Sequence, residues 1–264
     1  MKDSYPADKF VELLRIMERL RGERGCPWDL KQTHESLVKY LIEESYEFSE
    51  AVAAKDDESM AEELGDVMLQ IVFHAQIASE ENRFTISDVL DKICSKMRRR
   101  HPHVFGDATA ETAEDVLRRW ESDKQNEKED RKSILEGIPK TLPALMRAQR
   151  MQDRAAYVGF DWEHFEEVLD KFEEEWREFR QAYGQNHRKA VQSELGDLFF
   201  ALVNICRLLE IDAEQCASMT VDKFSSRFHY IERKIKEQGG TLQGSTLQEM
   251  DRLWEEAKEG EKED

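Results

Sequence analysis

Glu175 and Glu178 stand three residues apart, and so do Glu194 and Asp197. Residues three apart share a face of a helix, so each pair aims two carboxylates in one direction. Glu174 adjoins the first pair, and Lys171 precedes Glu175 by four residues and faces the same way. Like-charge repulsion opposes gathering so many carboxylates at one spot unless a cation is bound there. The pattern also occurs earlier in the chain. Glu44, Glu47, Glu63 and Asp66 precede Glu175, Glu178, Glu194 and Asp197 by 131 residues in every case. One such pattern arises easily by chance, but two in constant register point to a duplicated domain.

The ligand chemistry follows from the residue types. Oxygen-only donors suit hard cations, and Mg2+ or Mn2+ commonly shares its shell between carboxylates and substrate phosphates. With no His or Cys in the pattern, zinc fits poorly. Lys223 and Arg227, four apart on one helical face, could hold phosphate oxygens. Trp254 offers a flat face for a base, with Lys258 four residues on. Lys96 and Arg100, then Trp120 and Lys124, repeat both spacings in the first half. Each feature has a plainer reading: helical Glu and Lys usually form solvated faces, and Trp more often anchors a core. Repetition favours the acids as ligands. Trp28 and Trp162 are read as packing residues.

The elements that must position these groups are helices. Apolar residues recur at helical spacing over 7–20, 34–54, 57–80, 87–100 and 114–128, then over 145–155, 165–182, 189–209, 213–237 and 247–258. The third and eighth of these carry Glu-Leu-Gly-Asp, followed by a run that is apolar almost all round and reads as core. A charged stretch near 126–133, then Pro139 and Pro143, place a boundary between about 128 and 142. The expectation is an all-α chain of two tandem domains, 1–130 and 140–264.

Composition limits the function classes. A formal charge of −18 opposes nucleic-acid binding, which relies on clustered Lys and Arg. No apolar run approaches a membrane span, and four cysteines without a C-x-x-C pair suit reduced thiols, so a cytoplasmic location is expected. No P-loop, G-x-G-x-x-G or Glu-x-x-His motif occurs. Three readings stay open at this point: a metal-dependent enzyme acting on a nucleotide, a nucleotide-binding module without turnover, and a structural acidic helical dimer.

Several motifs in order carry a family resemblance: EESYE with AEELGD, EEEWREF with SELGD, RRRHPHVFGD, LPALMRAQRMQDRAAYVGFDW and DRLWEEAK. The chain resembles the MazG nucleoside triphosphate pyrophosphohydrolases over essentially its whole length, in the tandem form. The resemblance implies an all-α fold of four-helix type and a homodimer. It implies Mg2+-dependent hydrolysis of NTPs and dNTPs, ATP among them, to monophosphate and pyrophosphate, in the service of nucleotide-pool housecleaning. The implied metal ligands are Glu175, Glu178, Glu194 and Asp197, with nucleotide contacts from Lys171, Glu174, Lys223, Arg227, Trp254 and Lys258. It places activity mainly in the second half. The first half keeps Glu44, Glu47, Glu63 and Asp66 as a second metal site, but has Tyr40 in the register of Lys171 and Phe73 in that of Asn204.

Overall fold

The computed structural model describes residues 5–106, 112 and 133–260. The helix expected over 114–128, with Trp120 and Lys124, lies outside the described residues, as does the boundary region up to residue 132. Backbone contacts divide the chain into two units, Met1–Val116 and Leu117–Asp264. The described residues are helical, with no strand.

The first unit contains α1 (Pro6–Leu20), α2 (His34–Ala54), α3 (Asp57–Glu80), α4 (Ile86–Arg100) and a single turn, α5 (Pro102–Phe105), where the sequence suggested only a loop. Local chemistry sets the boundaries. Thr33 and Ser36 cap α2 reciprocally, and Asp56 accepts from the Glu58 and Ser59 amides to start α3. α1 ends where Gly25 passes so close to the Leu20 carbonyl that a Cβ would lie 2.0 Å from its oxygen. α2 and α3 form a hairpin, and α1 packs on α3. The core is Met17, Leu37, Val72, Phe73 and Ile77, with Phe10, Leu13, Leu14, Tyr40 and Leu69 against it.

The second unit contains α6 (Ala144–Tyr157), α7 (Phe165–Gly184), α8 (Arg188–Leu208), α9 (Ala213–Glu237) and α10 (Leu247–Gly260). α7 and α8 repeat the hairpin, α6 packs on α8, and α9 pairs with α10. The turns between the acid-bearing helices match in detail: Lys55 and Asn186, 131 apart, both take left-handed backbone, at φ 56° and 55°. α6 ends on Gly159 at φ 87°, a conformation glycine adopts without steric cost. Gln149 ties α6 to the start of α9, donating to the Ile211 carbonyl at 2.9 Å and accepting from the Ala213 amide at 2.9 Å.

The apolar runs after Glu-Leu-Gly-Asp are not buried all round, as their composition suggested. Val72 and Phe73, and likewise Leu198, Ala201 and Val203, are buried, whereas Met68, Ile71, Phe199, Phe200 and Leu202 stay exposed. One stripe packs into the unit and the opposite stripe does not. Within each motif Gly65 and Gly196 sit mid-helix, and a Cβ on either would meet nothing within 4 Å.

Candidate active site

Helix α7 projects Glu175 and Glu178 toward α8, and α8 projects Glu194 and Asp197 back from its second and third turns. Glu175, Glu194 and Asp197 each bring a carboxylate oxygen within 4.8 Å of the others. Glu178 joins them through a hydrogen bond to Glu194. Burial first, then the charges of Glu178, Asp197 and Glu175, push the Glu194 carboxyl above its ordinary range. A bond between two carboxyl groups needs a proton between them, so this cluster resists full ionisation by itself. Lys171 is the neighbouring cation. Its Nζ lies 2.8 Å from Glu175 and 3.2 Å from Glu174, and these bonds raise its own pKa. Glu175 is only 7% exposed, so it needs the partner that Lys171 supplies.

The first unit holds the counterpart. Glu44, Glu63 and Asp66 bring oxygens within the same 4.8 Å, and Glu47 hydrogen-bonds Glu63. Burial, followed by the charges of Asp66, Glu47 and Glu63, raises Glu44. Burial, then Glu47 and Asp66, raises Glu63. Both clusters fit a hard divalent cation by their donor chemistry. They offer carboxylate oxygen alone, at ligand spacing, and their mutual repulsion is what a bound cation relieves.

A cavity of about 580 Å3 opens beside the second cluster where α6, α7, α8 and the loop after α6 meet, with Lys171, Glu175 and Asp197 in its wall. Phe160, Trp162 and Phe200 supply aromatic surface, and Asn204, Arg207, Asp161 and Gln152 supply polar groups. Arg207 reaches from the end of α8 to the Asp161 carboxylate and pins the loop. Burial alone would raise Asp161, but its bonds to Arg207 and to the Trp162 amide outweigh burial and hold its pKa below the ordinary range. Trp162, read from sequence as a packing residue, is 39% exposed and lines this cavity. Neither Trp162 nor the Arg207–Asp161 pair was marked by any periodicity. The available signal was a polar Asn204 and Arg207 following an apolar helical run.

The structure therefore gathers Lys171, Glu174, Glu175, Glu178, Glu194 and Asp197 as the sequence suggested. It places the other expected substrate contacts elsewhere in the second unit. Arg227 lies over the Trp254 ring at 5.3 Å, Phe224 tilts against the same ring at 5.3 Å, and Trp254 packs on the Ile231, Ile235 and Leu253 core. Lys258 is held by Glu255 at 2.8 Å. Lys223, Arg227, Trp254 and Lys258 share α9 and α10, and none of them lines the cavity beside the acids.

Comparison with known proteins agrees with this geometry. A family model described as the MazG nucleotide pyrophosphohydrolase domain matches residues 32–105 and 163–231, one segment over each acid-bearing hairpin. The chain is 46% identical over 253 residues to a Thermotoga maritima protein named nucleoside triphosphate pyrophosphohydrolase/pyrophosphatase MazG, covering 96% of each. It is 43% identical over 256 residues to the nucleoside triphosphate pyrophosphohydrolase of Escherichia coli, covering 94% of this chain and 97% of that one. An uncharacterized Bacillus subtilis protein is 48% identical over 256 residues, 52% of its own length. With a matched hairpin in each half and relatives aligned end to end, the chain belongs to the MazG nucleotide pyrophosphohydrolase family.

Proposed function

We propose that this protein hydrolyses nucleoside and deoxynucleoside triphosphates, ATP among them, to the monophosphate and pyrophosphate, with the reaction in the second unit. The observation that carries this reading is the convergence of Glu175, Glu194 and Asp197, braced by Lys171, on the wall of a cavity large enough for a nucleoside. Glu175, Glu178, Glu194 and Asp197 would hold Mg2+, with Mn2+ as a substitute. Bound there, the cation supplies charge neutralisation for the phosphates and a readily deprotonated water.

The chain's own groups do the rest. Lys171 neutralises the Glu174 and Glu175 side of the cluster and is the nearest cation for an incoming phosphate oxygen. Glu174, the acid of this group that is not among the four ligands, would take the proton from an attacking water, with Lys171 beside it. Lys223, Arg227 and Lys258, on α9 and α10 and outside the cavity wall, would be outer contacts of the phosphate chain, with Trp254 against Arg227. Positioning and charge, not a covalent nucleophile, are the main requirements of such transfers.

A homodimer fits the apolar stripe that α7, α8 and α9 leave exposed: Trp176, Leu195, Phe199, Leu202, Met219 and Phe224. Among the described residues no helix is long and apolar enough to cross a membrane. With cysteines unpaired and a strongly acidic surface, we place the protein in the cytoplasm, without nucleic-acid partners, acting on nucleotide pools. The test is turnover of each NTP and dNTP with Mg2+, separating pyrophosphate from orthophosphate. Pyrophosphate with monophosphate is the expected pair. Orthophosphate with diphosphate would show cleavage of the β–γ bond and overturn the assignment.

A further inference from the structure

We infer that the cavity beside Glu175 and Asp197 takes the base of the nucleotide, and that Gln152 and Asn204 read the hydrogen-bonding edge of that base. The inference rests on the nucleotide reading above and goes beyond it by naming how the base is chosen. The amides are fixed in opposite senses by their neighbours. Gln152 is 7% exposed and donates through Nε2 to the Phe200 carbonyl at 2.9 Å. A carbonyl can only accept, so this bond sets the amide orientation. The Oε1 that remains is buried with no hydrogen-bond partner. An unpartnered buried acceptor costs free energy that a bonded ligand would recover. Asn204 is held the other way. Arg207 donates to its Oδ1 from Nε at 3.1 Å and from Nη2 at 2.9 Å, and a guanidinium can only donate. The group Asn204 keeps for a ligand is its NH2. Both residues line the cavity, so it carries one fixed acceptor and one fixed donor.

The surroundings decide what part of a nucleotide fits. Phosphate belongs at the acid end, where Lys171 stands beside Glu174 and Glu175; away from the acids the cation of the wall is Arg207, which Asp161 and Asn204 engage. A phosphate near Gln152 would face a bare acceptor oxygen. The aromatic wall of Phe160, Trp162 and Phe200 suits a flat, uncharged ring. The ring must carry an N–H donor for Gln152 beside an acceptor for Asn204. The Watson–Crick edge of a nucleobase has that pairing, and the acids in the same wall leave the phosphates beside the catalytic cluster. Trp254, which the sequence offered as the base platform, has Arg227 over its ring and is not in this wall.

The experiment compares ATP with purine riboside 5′-triphosphate, which keeps the ring acceptor but lacks the amino donor. With the wild-type chain, kcat/KM is expected to be at least about tenfold higher for ATP, the usual scale for one lost bond to a buried group. In Gln152→Met the ratio should fall to within about twofold, through KM more than kcat. Equal turnover of the two substrates by the wild type, or a ratio unchanged in Gln152→Met, overturns the inference. The wild-type comparison stands even if the variant folds poorly. Binding of free adenosine against free purine riboside, followed by NMR line broadening, poses the same question without hydrolysis. A wild-type chain that cleaves no nucleotide yet prefers adenosine would sink the hydrolase reading and leave the base pocket supported. Equal binding with active hydrolysis would do the reverse.

Discussion

In the first half Phe73 stands in the register of Asn204 and Tyr40 in that of Lys171. Phe73 is 3% exposed and belongs to the core, with Tyr40 and Leu69 packed against the same cluster. The Arg21 guanidinium lies 5.5 Å from the Phe73 ring centre and binds Glu80 at 2.7 Å. The second half has the opposite arrangement at these positions. Its polar residues face a cavity, and its arginine, Arg207, holds a loop at the cavity's rim. In both halves an Arg–carboxylate pair ties the end of the first helix, or its loop, to the end of the acid-bearing third helix. The arginine is on the first helix in one unit and on the third in the other. The same hairpin and the same four acids thus stand in two different surroundings. One half has spent its ligand-facing positions on core packing, and the other keeps them open.

The sharpest way to break this comparison is to remove one acid from each cluster. Glu175→Ala should lower pyrophosphate release by about a thousandfold, the scale for losing a principal charge-stabilising group. Glu44→Ala should leave it within about twofold. Comparable losses in both would mean that the first half also turns over substrate. Next in size is an exchange of the plug. Asn204→Phe is expected to reduce kcat/KM roughly a hundredfold by filling and misplacing the cavity, with folding intact by circular dichroism. The reverse change, Phe73→Asn, should create no activity. It should destabilise the first unit by about 3 kcal/mol in denaturant titrations, since it removes a buried ring and buries an amide.

The smallest effect concerns protons. Glu44, Glu63 and Glu194 have folded pKa values above their ordinary ones. Over the interval between, the folded chain binds more protons than the unfolded chain, so stability falls as pH rises through the carboxylate range toward the raised values. Melting temperature in EDTA should decline over that interval. Millimolar Mg2+, which favours the ionised acids, should flatten the decline. Carboxylates with lowered pKa, such as Glu80 and Asp161, act in the opposite direction, but they act with and without the metal and cancel in the difference. The first cluster lacks the counterpart of Lys171, so Glu63→Gln should remove more of the decline than Glu194→Gln. An equal effect of the two substitutions would show that Lys171 does not distinguish the clusters.

Much of this was legible in the sequence because it is local. Helix ends coincide with Thr33, Asp56, Thr85 and Asp212, whose side chains cap the helices that follow. The acids were legible because their spacing and their repetition are both periodic. The cavity was not. Its wall joins Gln152 to Phe200 and Asp161 to Arg207, contacts spanning 48 and 46 residues that no window of helical period can register. Burial of the acid-bearing helices was overestimated for a related reason. A run apolar on every side says that the helix is covered, but not which surface its own unit covers.

Gly65 and Gly196 bear on how tough this scaffold is. A glycine inside a helix costs about 1 kcal/mol relative to alanine, and at neither position does the chain crowd the space where a methyl would go. Each acid-bearing helix is therefore weaker than its own neighbours require. For protein engineering this is headroom: alanine at Gly65, in the first unit, is the natural first step toward a heat-resistant form. Alanine at Gly196, one residue before Asp197, would carry the same gain in helix strength into the proposed active site.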